Sequence, residues 1–139
     1  MEMTNREMIG HLNQLAIINE KLGGELNYKI SRNKEKLTKE YEQFDKARQE
    51  AKKDYCELDE DGNIKQEKVD TDDENSIMKV IFLSDEKEKE WNKVELKMLD
   101  EEKVNIDIRT VSEDVIFNSE ASQYATDAML FMIKEDEEK

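Results

Sequence analysis

No proline occurs in the 139 residues, so the strongest helix breaker is absent and long uninterrupted helices are permitted. Cys56 is the single cysteine and His11 the single histidine. One thiol cannot close a disulfide within the chain, and a Cys/His metal site needs about four ligands. Both devices are therefore excluded within one copy, and a reducing compartment is the expectation. Long apolar runs are missing as well. The longest, at 80–83 and 129–133, are far too short to span a bilayer. The opening residues Met1-Glu2-Met3-Thr4-Asn5-Arg6-Glu7 lack the basic flank and apolar stretch of a signal peptide, which predicts a cytosolic protein.

What is present is charge. Charged residues make up 42% of the chain and apolar ones 36%, a ratio that suits helices with a narrow apolar stripe and a solvated remainder. The length is that of one domain. The net charge of −14 is unevenly placed along the sequence. Residues 1–56 hold 11 Lys/Arg against 10 Asp/Glu, whereas residues 57–139 hold 11 against 26. A nearly neutral half is thus followed by an acidic half of net −15. Such a half repels phosphate, which disfavours direct nucleic-acid binding, and is attracted to a basic protein surface.

Local patterns predict the elements. Thr4 with Glu7 three residues later forms a capping box, and Met8, Leu12, Leu15, Ile18 and Leu22 then recur at helical spacing. Gly23-Gly24 is expected to end this first helix. A second helix is predicted over 26–55, where Ile30, Leu37, Phe44 and Ala51 lie seven apart and Leu26, Tyr41, Ala47 and Tyr55 flank that seam. At about 1.5 Å per residue it would be about 45 Å long, outreaching the first helix at about 30 Å. The pair is expected to form a long antiparallel hairpin over 1–56. A small acidic α+β element over 57–139 would pack at its far end, giving a mainly α fold and a single domain overall.

Within that second part, Glu60-Asp61-Gly62-Asn63 signals a turn, and Ile64 and Val69 begin short extended pieces. Residues 70–75 read as a solvated loop and 77–83 as a β-prone run. Ser84 can cap a third helix over 85–102 with Trp91, Val94, Met98 and Leu99 on its apolar face. Val104 to Arg109 alternates apolar and polar, which predicts a half-buried strand able to pair with 77–83. A last helix is expected from near Ser119, with a frayed tail at 135–139.

Candidate sites compete with plainer readings. Asp59-x-Asp61-x-Asn63 resembles the start of an EF-hand loop, but Ile64 and Asp70 occupy the positions that require Gly and Glu, and a hairpin turn is favoured. Cys56 with His11 is the only conceivable nucleophile–base pair, and no third, orienting group is evident. Cys56 reads instead as a half-buried helix end and His11 as an exposed helix position. The acidic pairs Asp72/Asp73, Glu101/Glu102 and Glu113/Asp114 could ligate Mg²⁺, yet in so charged a chain they read as solvated surface. Lys29, Arg32, Lys34, Lys36 and Lys39, bounded by Tyr28 and Tyr41, make a basic stretch interleaved with Glu35 and Glu40. A solvated helix face or an internal contact to the acidic half fits it better than nucleic acid. No catalytic, cofactor or metal residue is assigned.

Several motifs taken in order resemble a group of small phage and prophage proteins whose function is unknown. They are Leu12-Asn13-x-Leu15, Tyr28-Lys29-Ile30-x-x-Asn33, Asp59-Glu60-Asp61-Gly62-Asn63, Val104-x-Ile106-Asp107-Ile108 and Leu130-Phe131-Met132-Ile133. The chain departs from that pattern at Gly23-Gly24, where Leu-Pro is expected, and in the acidity after Asn63. The resemblance implies a phage or mobile-element origin and a host bacterial cytoplasm, and it carries over no catalytic residue.

Two functional expectations follow. One is a non-enzymatic inhibitor that presents acidic side chains to the basic nucleic-acid channel of a host defence effector, as DNA-mimicking anti-CRISPR proteins do. Its contacts would be Asp70, Asp72, Asp73, Glu74, Glu101, Glu102, Asp107, Glu113 and Asp114. The other is an assembly or virion-accessory protein that oligomerises through the seam of the second helix. Neither involves membrane or a cofactor.

Overall fold

Twelve residues after a strand only three residues long, the chain leaves its first helix, much sooner than the apolar spacing suggests. In the computed structural model, which describes residues 1–70 and 76–134, β1 (Glu2–Thr4) leads into α1 (Asn5–Ala16). The capping box forms as expected: the Glu7 N–H donates to Thr4 Oγ1 at 3.1 Å, and the Thr4 N–H donates to Glu7 Oε1 at 3.1 Å. α1 stops at Ala16, short of Leu22, because the next residues take tertiary partners. The Glu20 carboxylate accepts from the Ser122 N–H at 2.9 Å, and Leu22 is buried. Gly23, at φ +99°, is the residue that admits the turn into α2 and so serves the start of the second helix more than the end of the first.

α2 (Gly24–Lys52) continues into a single 3-10 turn at Lys53–Tyr55, a 32-residue helical stretch. After it come the antiparallel hairpin β2 (Gln66–Asp70) and β3 (Ser76–Val80), then α3 (Asp85–Asp100), β4 (Lys103–Asn105), α4 (Glu113–Phe117) and α5 (Gln123–Met129). A second 3-10 turn spans Leu130–Met132. The chain is mainly helical with small antiparallel sheets. No helix among the described residues is long and apolar enough to cross a membrane.

Two compact units divide the chain, Met1–Gln43 with Glu102–Lys139, and Phe44–Glu101. In the first unit β1 pairs with β4, Met3 opposite Val104, instead of β4 joining the run at 77–83. The strand at 76–80 pairs instead with β2, antiparallel, in a separate two-stranded sheet. The predicted alternation nevertheless holds: Ile106 and Ile108 are buried while Asn105 and Asp107 are exposed. The sequence placed α1 against α2, but α1 packs mainly on α5, bringing Met8 and Leu15 to the helix that carries Ala125, Ala128 and Met129. α4 was not foreseen, and α5 begins at its Ser122 cap, not near Ser119.

The second unit is built around Trp91, 2% exposed and tilted against Tyr55 at 5.7 Å between ring centroids. Three chain segments meet in a ring of backbone hydrogen bonds. The Glu57 N–H donates to the Ile81 carbonyl (2.9 Å), the Ile81 N–H to the Lys65 carbonyl (3.0 Å), and the Lys65 N–H to the Glu57 carbonyl (2.8 Å). Ser84 caps α3, its Oγ accepting from the Lys87 N–H at 3.1 Å, with Asp85, Glu86 and Glu88 in the first turn, where the helix dipole favours them.

Candidate functional site

Two lysines of the basic stretch of α2 are committed to the chain's own backbone. Lys29 Nζ donates to the Thr110 carbonyl at 2.9 Å, and Lys36 Nζ donates to the Asp107 carbonyl at 2.7 Å and to its carboxylate at 3.2 Å. Between them Asn33, fully buried, donates through Nδ2 to the Arg109 carbonyl (3.0 Å) and accepts at Oδ1 from the Arg109 N–H (2.8 Å). Positions 29, 33 and 36 lie on one helix face, so three side chains clasp residues 107–110 as a neighbouring strand would. The clasp satisfies backbone groups of a segment that joins no sheet among the described residues. The internal-contact reading of the basic stretch is thus realised, mainly with carbonyls and only at Asp107 with a carboxylate.

Sequence reasoning did not single out Asn33 as a functional or structural site. A signal existed. Asn33 lies seven residues after Leu26, on the seam whose other members Ile30, Leu37 and Phe44 are all buried. A lone amide in such a seam calls for a specific partner. Leu26, Ile30, Leu37 and Phe44 of the seam are buried within one copy, while Tyr41, Ala51 and Tyr55 are half-buried and Ala47 is exposed.

The expected acidic contacts fall on both units. Asp70 and Glu101 belong to Phe44–Glu101, and Glu102, Asp107, Glu113 and Asp114 to the other. All six are exposed, while Asp72, Asp73 and Glu74 lie outside the described residues. Their settings differ physically. Glu113 and Asp114 occupy the first turn of α4, where a carboxylate offsets the exposed N–H groups, and Asp107 pairs with Lys36. Glu101 is the C-cap of α3, where the same dipole disfavours negative charge, and Glu102 follows it. No such local role accounts for these two. The charge step at residue 57 does not separate the units. Counted over the whole sequence, Phe44–Glu101 holds 11 Lys/Arg against 19 Asp/Glu, and the remaining residues 11 against 17.

A cleft of about 830 Å³ opens in the first unit, lined among others by Met3, Glu7, His11, Leu130, Phe131 and Lys134. His11, expected at the surface, is half-buried and stacks on Phe131 with ring centroids 3.9 Å apart and planes 12° from parallel. Burial holds its pKa below the usual histidine value, with the Glu7 charge opposing weakly. Glu7 is itself held below the usual carboxylate range, chiefly by the hydrogen bond from the Thr4 backbone.

Cys56 is more buried than expected, at 3% exposure, and desolvation pushes its thiol pKa up. A buried, protonated thiol is a poor nucleophile. The Asp59 turn uses its carboxylate internally: Oδ1 accepts from the Asp61 N–H (2.9 Å) and the Asn63 N–H (3.0 Å), and Gly62 takes φ +81°. The hairpin reading of that motif therefore has its donors and acceptors in place. No group of three His, Cys, Asp or Glu side chains among the described residues is arranged to hold a metal ion. Set against family models, curated proteins and solved structures, the chain matches none of them.

Proposed function

We propose that the chain is a non-enzymatic binding protein of phage or mobile-element origin that acts in the host bacterial cytoplasm. It places carboxylates on the basic nucleic-acid channel of a host defence effector and so blocks that channel. The observation that carries this reading is the setting of Glu101. An exposed acid at the C-terminus of α3, followed directly by Glu102, opposes the helix dipole at a cost of about 0.3–1 kcal/mol. Folding gains nothing from that placement, whereas an electrostatic interface does. The exposure of Asp70, Glu113 and Asp114 supports the same reading. Association would be fast and salt-sensitive, since charge complementarity acts mainly on the encounter rate.

The test is affinity capture from bacterial lysate at low and high salt, read by mass spectrometry. One variant carries Glu101→Gln and Glu102→Gln, and a second neutralises Asp70, Asp72, Asp73 and Glu74. The expected result is a nucleic-acid-binding host protein retained at low salt, released at high salt and lost from at least one variant. Retention unaffected by either variant would sink the proposal. The alternative, oligomerisation through the α2 seam, is disfavoured by the burial of Ile30, Leu37 and Phe44 within one copy. A salt-insensitive oligomer in light scattering would restore it.

A further inference from the structure

We infer a second, oppositely charged binding site in the first unit: the guanidinium groups of Arg32 and Arg109, with the Tyr28 ring beside them, form a subsite for a phosphate group. Arg109 comes from the acidic part of the sequence. The bonds from Asn33 to its backbone pin it against α2 and direct its side chain back along the helix. There the guanidinium carbon lies 5.5 Å from the centroid of the Tyr28 ring, itself half exposed. Arg32 stands four residues after Tyr28 and so on the same helix face, one turn along. The fold sets the Arg109 guanidinium over the Tyr28 ring, with Arg32 one helical turn further on, from positions 77 apart in sequence; that the two join in one patch is part of the inference.

Two further observations single these groups out. The Nε atoms of Arg32 and Arg109 are both buried with no hydrogen-bond partner among the described residues. Both are donors that water does not reach freely, and such groups call for an acceptor. In a chain with 36 Asp/Glu, Arg109 nonetheless has no carboxylate within salt-bridge distance among the described residues, while Arg32 is paired only through Nη1, with Glu35 at 3.3 Å. A guanidinium presents a planar fork of N–H donors that matches phosphate oxygens. Two forks and a phenol hydroxyl supply more donors than one carboxylate accepts, which favours the phosphate. The site is independent of the acidic surface and adds a separate capability to the chain.

Arginine side-chain Nε–Hε resonances of the full-length protein, followed by NMR during titration with inorganic phosphate against chloride of matched ionic strength, test this directly. The expected result is saturable shifts at Arg32 and Arg109. Arg109→Gln or Arg32→Gln should weaken binding roughly ten- to hundredfold, the loss expected on removing charge-assisted hydrogen bonds. Lys34→Gln removes an equal charge from the same helix and should change binding by less than about twofold. Unchanged far-UV circular dichroism confirms that each variant is folded. Absent or non-saturating shifts would overturn the inference. So would an equal loss in Lys34→Gln, which would mean diffuse attraction without a site. Repeating the titration with a nucleoside monophosphate and with a phosphoserine peptide distinguishes the carriers of the group.

Discussion

Replacing Asn33 by alanine tests how the segment at 107–110 is held. The substitution removes two hydrogen bonds at once, to the carbonyl and the N–H of Arg109. Each is worth about 1 kcal/mol net, and a backbone group left buried and unpaired adds about 1–3 kcal/mol. Arg109 is only half-buried, so water relieves part of that second cost, and about 2–4 kcal/mol is the expected destabilisation. Lys36 offers a calibration. Its ion pair reaches an Asp107 side chain that is 96% exposed, so Lys36→Met should cost about 1 kcal/mol or less. Urea denaturation followed by far-UV circular dichroism gives both values, and hydrogen exchange at the Arg109 amide reports the local event. Exchange there should accelerate in Asn33→Ala with little change at the β2–β3 amides of the other unit. A loss below about 0.5 kcal/mol, or an Arg109 amide that stays protected, would refute the idea that one amide side chain stands in for a strand.

Three further outcomes are expected. His11 has a folded-state pKa below its ordinary 6.5 because burial disfavours the cation, so the folded state binds fewer protons than the unfolded one. The stability this contributes is complete above about pH 6.5 and declines as pH falls from there towards the folded pKa. The urea midpoint should therefore drop between about pH 7.5 and about pH 5.5, and the part due to His11 should vanish in His11→Phe; an identical drop in that variant refutes the assignment. Trp91 is the sole tryptophan and 2% exposed, so its fluorescence reports on Phe44–Glu101 alone. Trp91→Ala should destabilise that unit by about 3–5 kcal/mol in urea melts followed by circular dichroism, and a smaller loss would mean a site able to collapse around the cavity. Thr4→Ala removes the acceptor for the Glu7 N–H at the start of α1 and should cost about 1 kcal/mol. An unchanged urea midpoint would show that the capping box contributes nothing to the folded state.

Legibility in the sequence tracked the range of the interaction. The Thr4 capping box, the Ser84 cap, the Asp59 turn and the buried side of Ile106 and Ile108 were all readable, because each depends on residues within a few positions or on strict alternation. The seam Leu26, Ile30, Leu37 and Phe44 was legible as a buried face for the same reason, but periodicity does not name what covers it. The apolar spacing from Met8 to Leu22 misled, since a helical period persists past Ala16 while Glu20 is drawn away to Ser122, 102 residues on.

Only the tertiary structure decided the pairing of β1 with β4 and the packing of α1 on α5. The union of Asn33 with Arg109 across 76 positions is of the same kind. Such contacts depend on which unsatisfied backbone and apolar surfaces meet when the chain closes on itself, and no local propensity encodes that choice. The distribution of charge shows the same division. Sequence order draws a line at residue 57 between neutral and acidic halves, whereas folding joins the basic stretch of α2 to residues 102–139 and leaves both units acidic. Composition alone determined that the protein is strongly negative and free of the residue that most breaks helices. Which acids stand exposed, and which ring the Arg109 guanidinium covers, was set by the fold.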